Sequence, residues 1–173
     1  MTEAVNTSGM SSLSQLLNDI DMGPCDSIQF AYAKLQLAQS MLCKNKAESK
    51  LKEIEEKQAE QQKVAKMISD ARKLQNQAET SKKCTTMPAE MVQYFKDHDL
   101  AYDKDGNDNN HSKDQWAYNI QSLTNYQESL SNGTQTDMVL LQDFISQYNS
   151  YLQGASSQVS QAGQTLTALA RGQ

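Results

Sequence analysis

Residues 138–169 read MVLLQDFISQYNSYLQGASSQVSQAGQTLTAL. At alternating steps of three and four, this stretch presents Met138, Leu141, Ile145, Tyr148, Leu152, Ala155, Val159, Ala162, Leu166 and Leu169. Each of these is apolar or aromatic. So regular a run marks the a and d positions of a coiled-coil seam, not the looser stripe of an ordinary amphipathic helix. A helix with such a stripe cannot bury it alone. The fold therefore turns on what covers it: a second helix of this chain, another copy, or both.

The same step extends upstream through Trp116, Ile120, Leu123, Gln127 and Leu130. From Leu130 through Thr134 to Met138 it advances by four twice, a stutter that locally unwinds a coiled coil. Asn132 and Gly133 form the weakest point, because glycine inside a helix costs about 1 kcal/mol relative to alanine. Gly154 and Gly163 weaken the helix further. The pattern predicts one helix over 113–170.

Its partner within the chain is a second long helix over 27–80, capped by Asp26 or Ser27. Ile28, Ala31, Leu35, Ala38 and Leu42 form its first apolar line, with Phe30, Leu37 and Met41 as a second stripe beside it. Two stripes imply contact on more than one side. In KLKEIEEKQAEQQK (50–63) only Leu51, Ile54 and Ala59 are apolar. The exposed Lys and Glu pairs there contribute only about 0.2–0.5 kcal/mol each. The line resumes at Val64, Met67, Ala71 and Leu74. The interval from Ile54 to Val64 breaks a strict heptad, which predicts a register shift or a bend.

Residues 1–26 read as an unstructured Ser/Thr-rich leader followed by a short amphipathic helix carrying Leu13, Leu16, Leu17 and Ile20. That helix stops at Gly23 and Pro24. Residues 81–112 form a surface-exposed middle with a short helix over 88–100. Pro88 suits its first helical position, and Met91, Val92, Phe95 and Leu100 are available to pack. The expected fold is all-α: two long helices in an antiparallel coiled-coil hairpin with a short, partly helical middle.

The chain has 173 residues, 38% of them hydrophobic, and a net charge of -5. Mean hydropathy is -0.72. That composition suits long helices that bury one stripe. The acidic balance disfavours nucleic acid, which requires a basic footprint. No apolar run approaches the roughly 20 residues of a membrane span. The first residues lack the basic and apolar regions of a Sec signal, leaving a cytoplasmic location or export by another route.

Cys25, Cys43 and Cys84 are odd in number and widely spaced, which argues against a disulfide framework and against zinc. DKDGNDNN (103–110) alternates like a calcium loop. However, Asp108 stands where glycine is needed, and Asp114 stands where glutamate is needed. A solvated Asx-rich turn is the favoured reading. His98 and His111 have no second ligand at metal spacing. No nucleophile–base grouping, phosphate loop or cofactor fingerprint is recognisable, so neither catalysis nor a cofactor is expected.

Apolar residues remain outside both seams: Leu140, Phe144 and Tyr151 in the second long helix, and Phe30, Leu37 and Met41 in the first. Such remainders mark partner contacts, and head-to-tail repetition of them builds a ring or an open filament. These six are the expected subunit contacts.

Four features resemble the needle-filament proteins of bacterial type III secretion systems, the EspA/SseB-like family. They are the leader with its short helix and the block QFAYAKLQLAQSML (29–42), the long polar helix, the segment MPAEMVQYFKDHDL (87–100), and the C-terminal heptad helix. Of these, only the third is motif-like. The resemblance implies a secreted, extracellular cell-surface appendage built as a helical homopolymer on the needle. It would contact the needle protein and the translocon pore proteins, and a cytoplasmic secretion chaperone would hold the subunit before export. Needle-tip caps of the same systems carry a large mixed domain between their helices, and the middle here is too short for one. A cytoplasmic coiled-coil adaptor or chaperone is the alternative from another class.

Overall fold

The computed structural model describes residues 12–20, 27–104, 106 and 109–172. Six elements follow in order: α1 (Leu13–Asp19), α2 (Ile28–Ser81), β1 (Thr85–Thr86), α3 (Ala89–Asp97), β2 (Asn110–His111) and α4 (Lys113–Arg171). The fold is all-α, with α2 and α4 packed as an antiparallel hairpin. α4 runs unbroken through Asn132 and Gly133.

Helix starts follow local chemistry. Ser12 caps α1 through its side chain, and Gln15 reaches back to the Ser12 backbone. Ser112 and Gln115 repeat this reciprocal box at α4. Each box satisfies donors that the first turn leaves without partners. Pro88 is the cap of α3 and not its first helical residue. Cys25, the Gly23–Pro24 stop and most of the leader lie outside the described residues.

By its contacts the chain divides into two units, Met1–Glu53 with Asp137–Gln173, and Ile54–Thr136. The second unit holds the large core. Val64, Ile68, Phe95, Trp116, Ile120 and Leu123 are buried together, with Met87, Met91 and Val92 from the middle segment. The short strands pair antiparallel, Thr85 with His111 and Thr86 with Asn110. Trp116 anchors them: its indole Nε1 donates to Thr85 Oγ1 at 2.8 Å, and that hydroxyl donates to the Leu74 carbonyl at 3.0 Å. The His111 ring packs edge-on against Trp116, with centroids 5.2 Å apart. Asn119, fully buried, accepts the Asp103 amide at 2.7 Å, and the Asp103 carboxylate accepts from Gln115 at 3.0 Å. Asp103 thus serves the loop's own geometry. Among the described residues no acidic or His/Cys group gathers as a metal site.

In the first unit, Gln36 lies against Gly154, Cys43 meets Gln147, Lys46 sits over the Phe144 ring, and Lys50 pairs with Asp137. Numbers rise along one helix as they fall along the other, which fixes the antiparallel register. A Cβ at position 154 would fall 2.0 Å from the Gln36 Oε1 oxygen, so glycine permits this approach.

These contacts correct the expected seams. Along α2 the inward line is Ala33, Gln36, Ser40, Cys43, Ala47, Lys50, Ile54, Lys57, Gln61, Val64, Ile68, Ala71, Gln75 and Ala78. It alternates three and four without interruption, so no register shift falls between Ile54 and Val64. Lys57 and Gln61 fill that interval, Lys57 beside Gly133 and Gln61 donating to Thr134 at 3.2 Å. Of the expected members, Ile54 and Val64 are buried, and Met67 and Leu74 are half-buried. Ile28 is 80% exposed and Leu51 46% exposed. Leu35 and Leu42 are half-buried on the face of α2 away from α4, where Ala38 is fully buried.

Along α4 the inward line of the first unit is Asp137, Leu141, Phe144, Tyr148, Tyr151, Ala155, Gln158 and Ala162. The expected stutter is absent: from Leu130 through Thr134 to Asp137 the line steps four and then three, because Asp137 and not Met138 turns inward. Leu141, Tyr148, Ala155 and Ala162 are as expected. Met138, Ile145, Leu152 and Val159 instead lie one residue beyond the inward line and are exposed. Ala162 is the last buried residue among those described, and Leu166 and Leu169 project from an end of α4 that the register carries past Ile28, where α2 begins.

Lys50 and Asp137 are an opposite-charge pair within the seam, 3.3 Å apart, and Lys50 also bonds Glu53. The Glu53 bond first, then the Asp137 bond, hold the Lys50 ammonium above its ordinary pKa against the opposing effect of burial. Lys50→Met keeps the stem and deletes the charge. It is expected to destabilise the hairpin by about 1.5–3 kcal/mol, the usual range for a hydrogen bond to a charged group. Urea melts followed by circular dichroism read this directly.

Candidate assembly surface

Two flanks border the seam of the first unit, and they differ in character. A groove of about 270 Å³ is lined by Lys44, Ala47, Glu48, Ile145, Tyr148 and Asn149. It sets the Lys44 flank of α2 beside the Ile145 flank of α4. Steps of seven from Lys44 reach Phe30, Leu37 and Leu51; steps of seven from Ile145 reach Met138, Leu152, Val159 and Leu166. Along α4 these residues are 47%, 45%, 40%, 41% and 60% exposed in chain order. Met41, also exposed, lies beside the α2 line. One side of the hairpin is therefore an apolar band drawn from both helices.

The other flank is polar. It carries Gln39, Lys46 and Glu53 on α2, and Gln147, Gly154 and Gln161 on α4, with Tyr32 and Leu140 the large apolar exceptions. The six expected contact residues therefore separate. Phe30, Leu37 and Met41 belong to or border the apolar band. Leu140 is exposed on the polar flank. Phe144 and Tyr151 turn inward and are half-buried, and the Lys46 ammonium stands 5.8 Å from the Phe144 ring centroid. Leu51, Met138, Ile145, Leu152 and Val159, assigned to the seam by periodicity, are the outward members. Neighbouring positions on one helix face differ by one residue, and an apolar count alone does not choose between them.

Cys43 is buried in the seam, and burial first, with Asp143 adding and Lys46 opposing, raises its thiol pKa. The protonated thiol faces Gln147 Oε1 at 3.7 Å. Cys84 is exposed.

The second unit has a polar cluster where α3 meets both long helices. Tyr94 donates to the Glu60 carboxylate, His98 Nε2 is 3.3 Å from the same carboxylate, and the Tyr126 hydroxyl meets His98 Nδ1 at 3.0 Å. The Tyr94 and His98 rings lie against each other with centroids 4.2 Å apart and planes tilted by 38°. Partial burial works to raise the Glu60 pKa, but the Tyr94 hydroxyl, the Lys63 ammonium and the His98 ring outweigh it and leave it lowered. Burial and the Glu60 carboxylate push the Tyr94 phenol far above the ordinary tyrosine range.

Because Glu60 titrates lower when folded, its contribution is present in full above the ordinary carboxylate pKa. It is lost as pH falls through the lower folded value. Acid below about pH 4 is expected to loosen α3, seen in the near-ultraviolet tyrosine signal, and Glu60→Gln should remove that part of the acid dependence. Nothing in the cluster pairs a nucleophile with a base in an open cavity. It fastens α3 in place.

No protein family, curated protein or solved structure matches this chain. The band itself is then the strongest functional feature: large apolar side chains at a coiled-coil repeat, exposed on a chain whose own second helix leaves them uncovered. Among the described residues, no helix is long and apolar enough to cross a membrane.

Proposed function

We propose that this chain is the self-assembling subunit of a secreted, hollow filament that extends a type III secretion needle and conducts effector proteins toward the translocon in the host membrane. The observation that carries the reading is the outward line Met138, Ile145, Leu152, Val159 and Leu166. Single exposed apolar residues are normal on a protein surface, but an ordered line of them is a helix-binding face. A second copy of the chain offers helices of the same repeat to cover it. Seated on a different face of the next copy, the line makes a head-to-tail contact that builds an open polymer where the rotation does not close; paired with the same flank it would close a dimer.

The type III assignment is supported by the four resembling features of the sequence. The needle protein, the translocon pore proteins and a cytoplasmic secretion chaperone follow from the same resemblance as proposed partners, as does the extracellular location. The proposed role is structural and needs no cofactor.

Sedimentation and negative-stain electron microscopy of the purified chain test the assembly. Fibres that lengthen with concentration are expected, and a monomer at high concentration without a chaperone would overturn the reading. A closed dimer, retained inside the cell, would favour the coiled-coil adaptor. Loss of export in a strain without a type III apparatus tests the secretion route.

A further inference from the structure

We infer that the hairpin of the first unit, residues 28–53 with 137–171, opens as a separate cooperative element while the second unit stays folded. This goes beyond the assembly reading and does not depend on it.

The two units are built from different materials. The second buries Val64, Ile68, Phe95, Trp116, Ile120 and Leu123 in one cluster, joined across α2, α3 and α4. Among the described residues of the first, the buried apolar ones are Leu16, Ala33, Ala38, Cys43, Ala155 and Ala162. All but Leu16 are small, so each removes little apolar area from water, and that area sets the strength of burial. Of its larger apolar groups, Leu141, Phe144, Tyr148 and Tyr151 lie on the inward line but are only half-buried, and Ile145 and Leu152 face outward.

The seam also carries polar groups. Gln36 Oε1 is buried without a hydrogen-bond partner. Ser40 is buried and turns its hydroxyl back to the Leu37 carbonyl at 2.7 Å. Lys50 and Asp137 keep a charged pair there. Gly154 and Gly163 lower the intrinsic helicity of α4 in this unit. Helices take most of their stability from packing, so a hairpin with a small, polar seam belongs at the low end of local opening free energies. Opening frees two helices of coiled-coil repeat to pair with others.

Hydrogen exchange by mass spectrometry on the full chain, at two protein concentrations, tests this. In dilute solution, amides within 30–50 and 140–160 are expected to exchange at least about 100-fold faster than those within 64–71 and 116–126. Protection equal in both units, within a few fold, would overturn the inference. Gln36→Leu removes the orphaned oxygen at similar volume. It should slow exchange in 30–50 and 140–160 and leave 64–71 unchanged; slowing of all segments alike would mean a single opening body and would also overturn it. Rates independent of concentration would remove support from self-association alone, so failure of either idea is distinguishable from failure of the other.

Discussion

A chain carrying Ile145→Asp and Leu152→Asp is expected to keep its helical content and melting behaviour and to lose self-association. The reason is position. Both side chains are more than a third exposed and sit one residue beyond the inward line of α4. An aspartate there meets water in the single chain, and surface substitutions of this kind stay within about 0.5 kcal/mol. In an assembled copy the same carboxylate would be carried into an apolar contact without a partner, which is strongly unfavourable. Each lost leucine or isoleucine also withdraws about 1 kcal/mol of burial from that contact, since less than half of the side chain remains exposed in the single chain. Sedimentation velocity against concentration reads the loss, and circular dichroism reads the retained fold. Gln147→Asp, on the polar flank, is the matched control and should assemble normally. Assembly that survives the double substitution would move the contact away from the apolar band.

Trp116→Ala is expected to have the largest effect on stability. The ring is fully buried, and removing a buried tryptophan costs about 3–5 kcal/mol through lost transfer energy and the cavity left behind. Its indole also holds Thr85, so the loss reaches the β1–β2 pair and the His111 ring. For a chain of this size that corresponds to a melting shift of roughly 6–20 °C. Tyr118, two residues on and 53% exposed, is the control, since Tyr118→Ala should melt almost unchanged. Differential scanning calorimetry separates the two outcomes.

Much of the architecture is legible in the sequence because helix-period patterns over 27–80 and 113–170 are long and free of proline. The structure runs α2 from Ile28 to Ser81 and α4 from Lys113 to Arg171. The phase of the seam was not legible, for a specific physical reason. Large apolar residues are the usual guide to a seam, but in the first unit α2 places its small and polar residues inward. Ser40, Cys43 and Ala47 allow close approach, Gln36 meets a glycine, and Lys50 answers Asp137. An unbroken three-four line of small residues from Ala33 onward, with opposite charges at its end, was the available signal. Leu141, Tyr148, Ala155 and Ala162 belong to both the expected and the observed line, so they could not discriminate between them. Among the buried polar residues of the second unit, Asn119 and Thr134 share the three-four step of α4 but are polar, so an apolar count passes over them, and His111 lies in a two-residue strand with no helical period.

The one-residue offset between the two lines of α4 has a geometric consequence. Successive residues of an α-helix point about 100° apart around its axis. A neighbour seated on Met138, Ile145, Leu152 and Val159 would thus stand about a quarter-turn around α4 from α2, not diametrically opposite it. Helices whose two neighbours are diametrically opposed stack into flat layers. Helices whose neighbours subtend a smaller angle build a curved wall, and a wall that curves the same way at every repeat encloses a space.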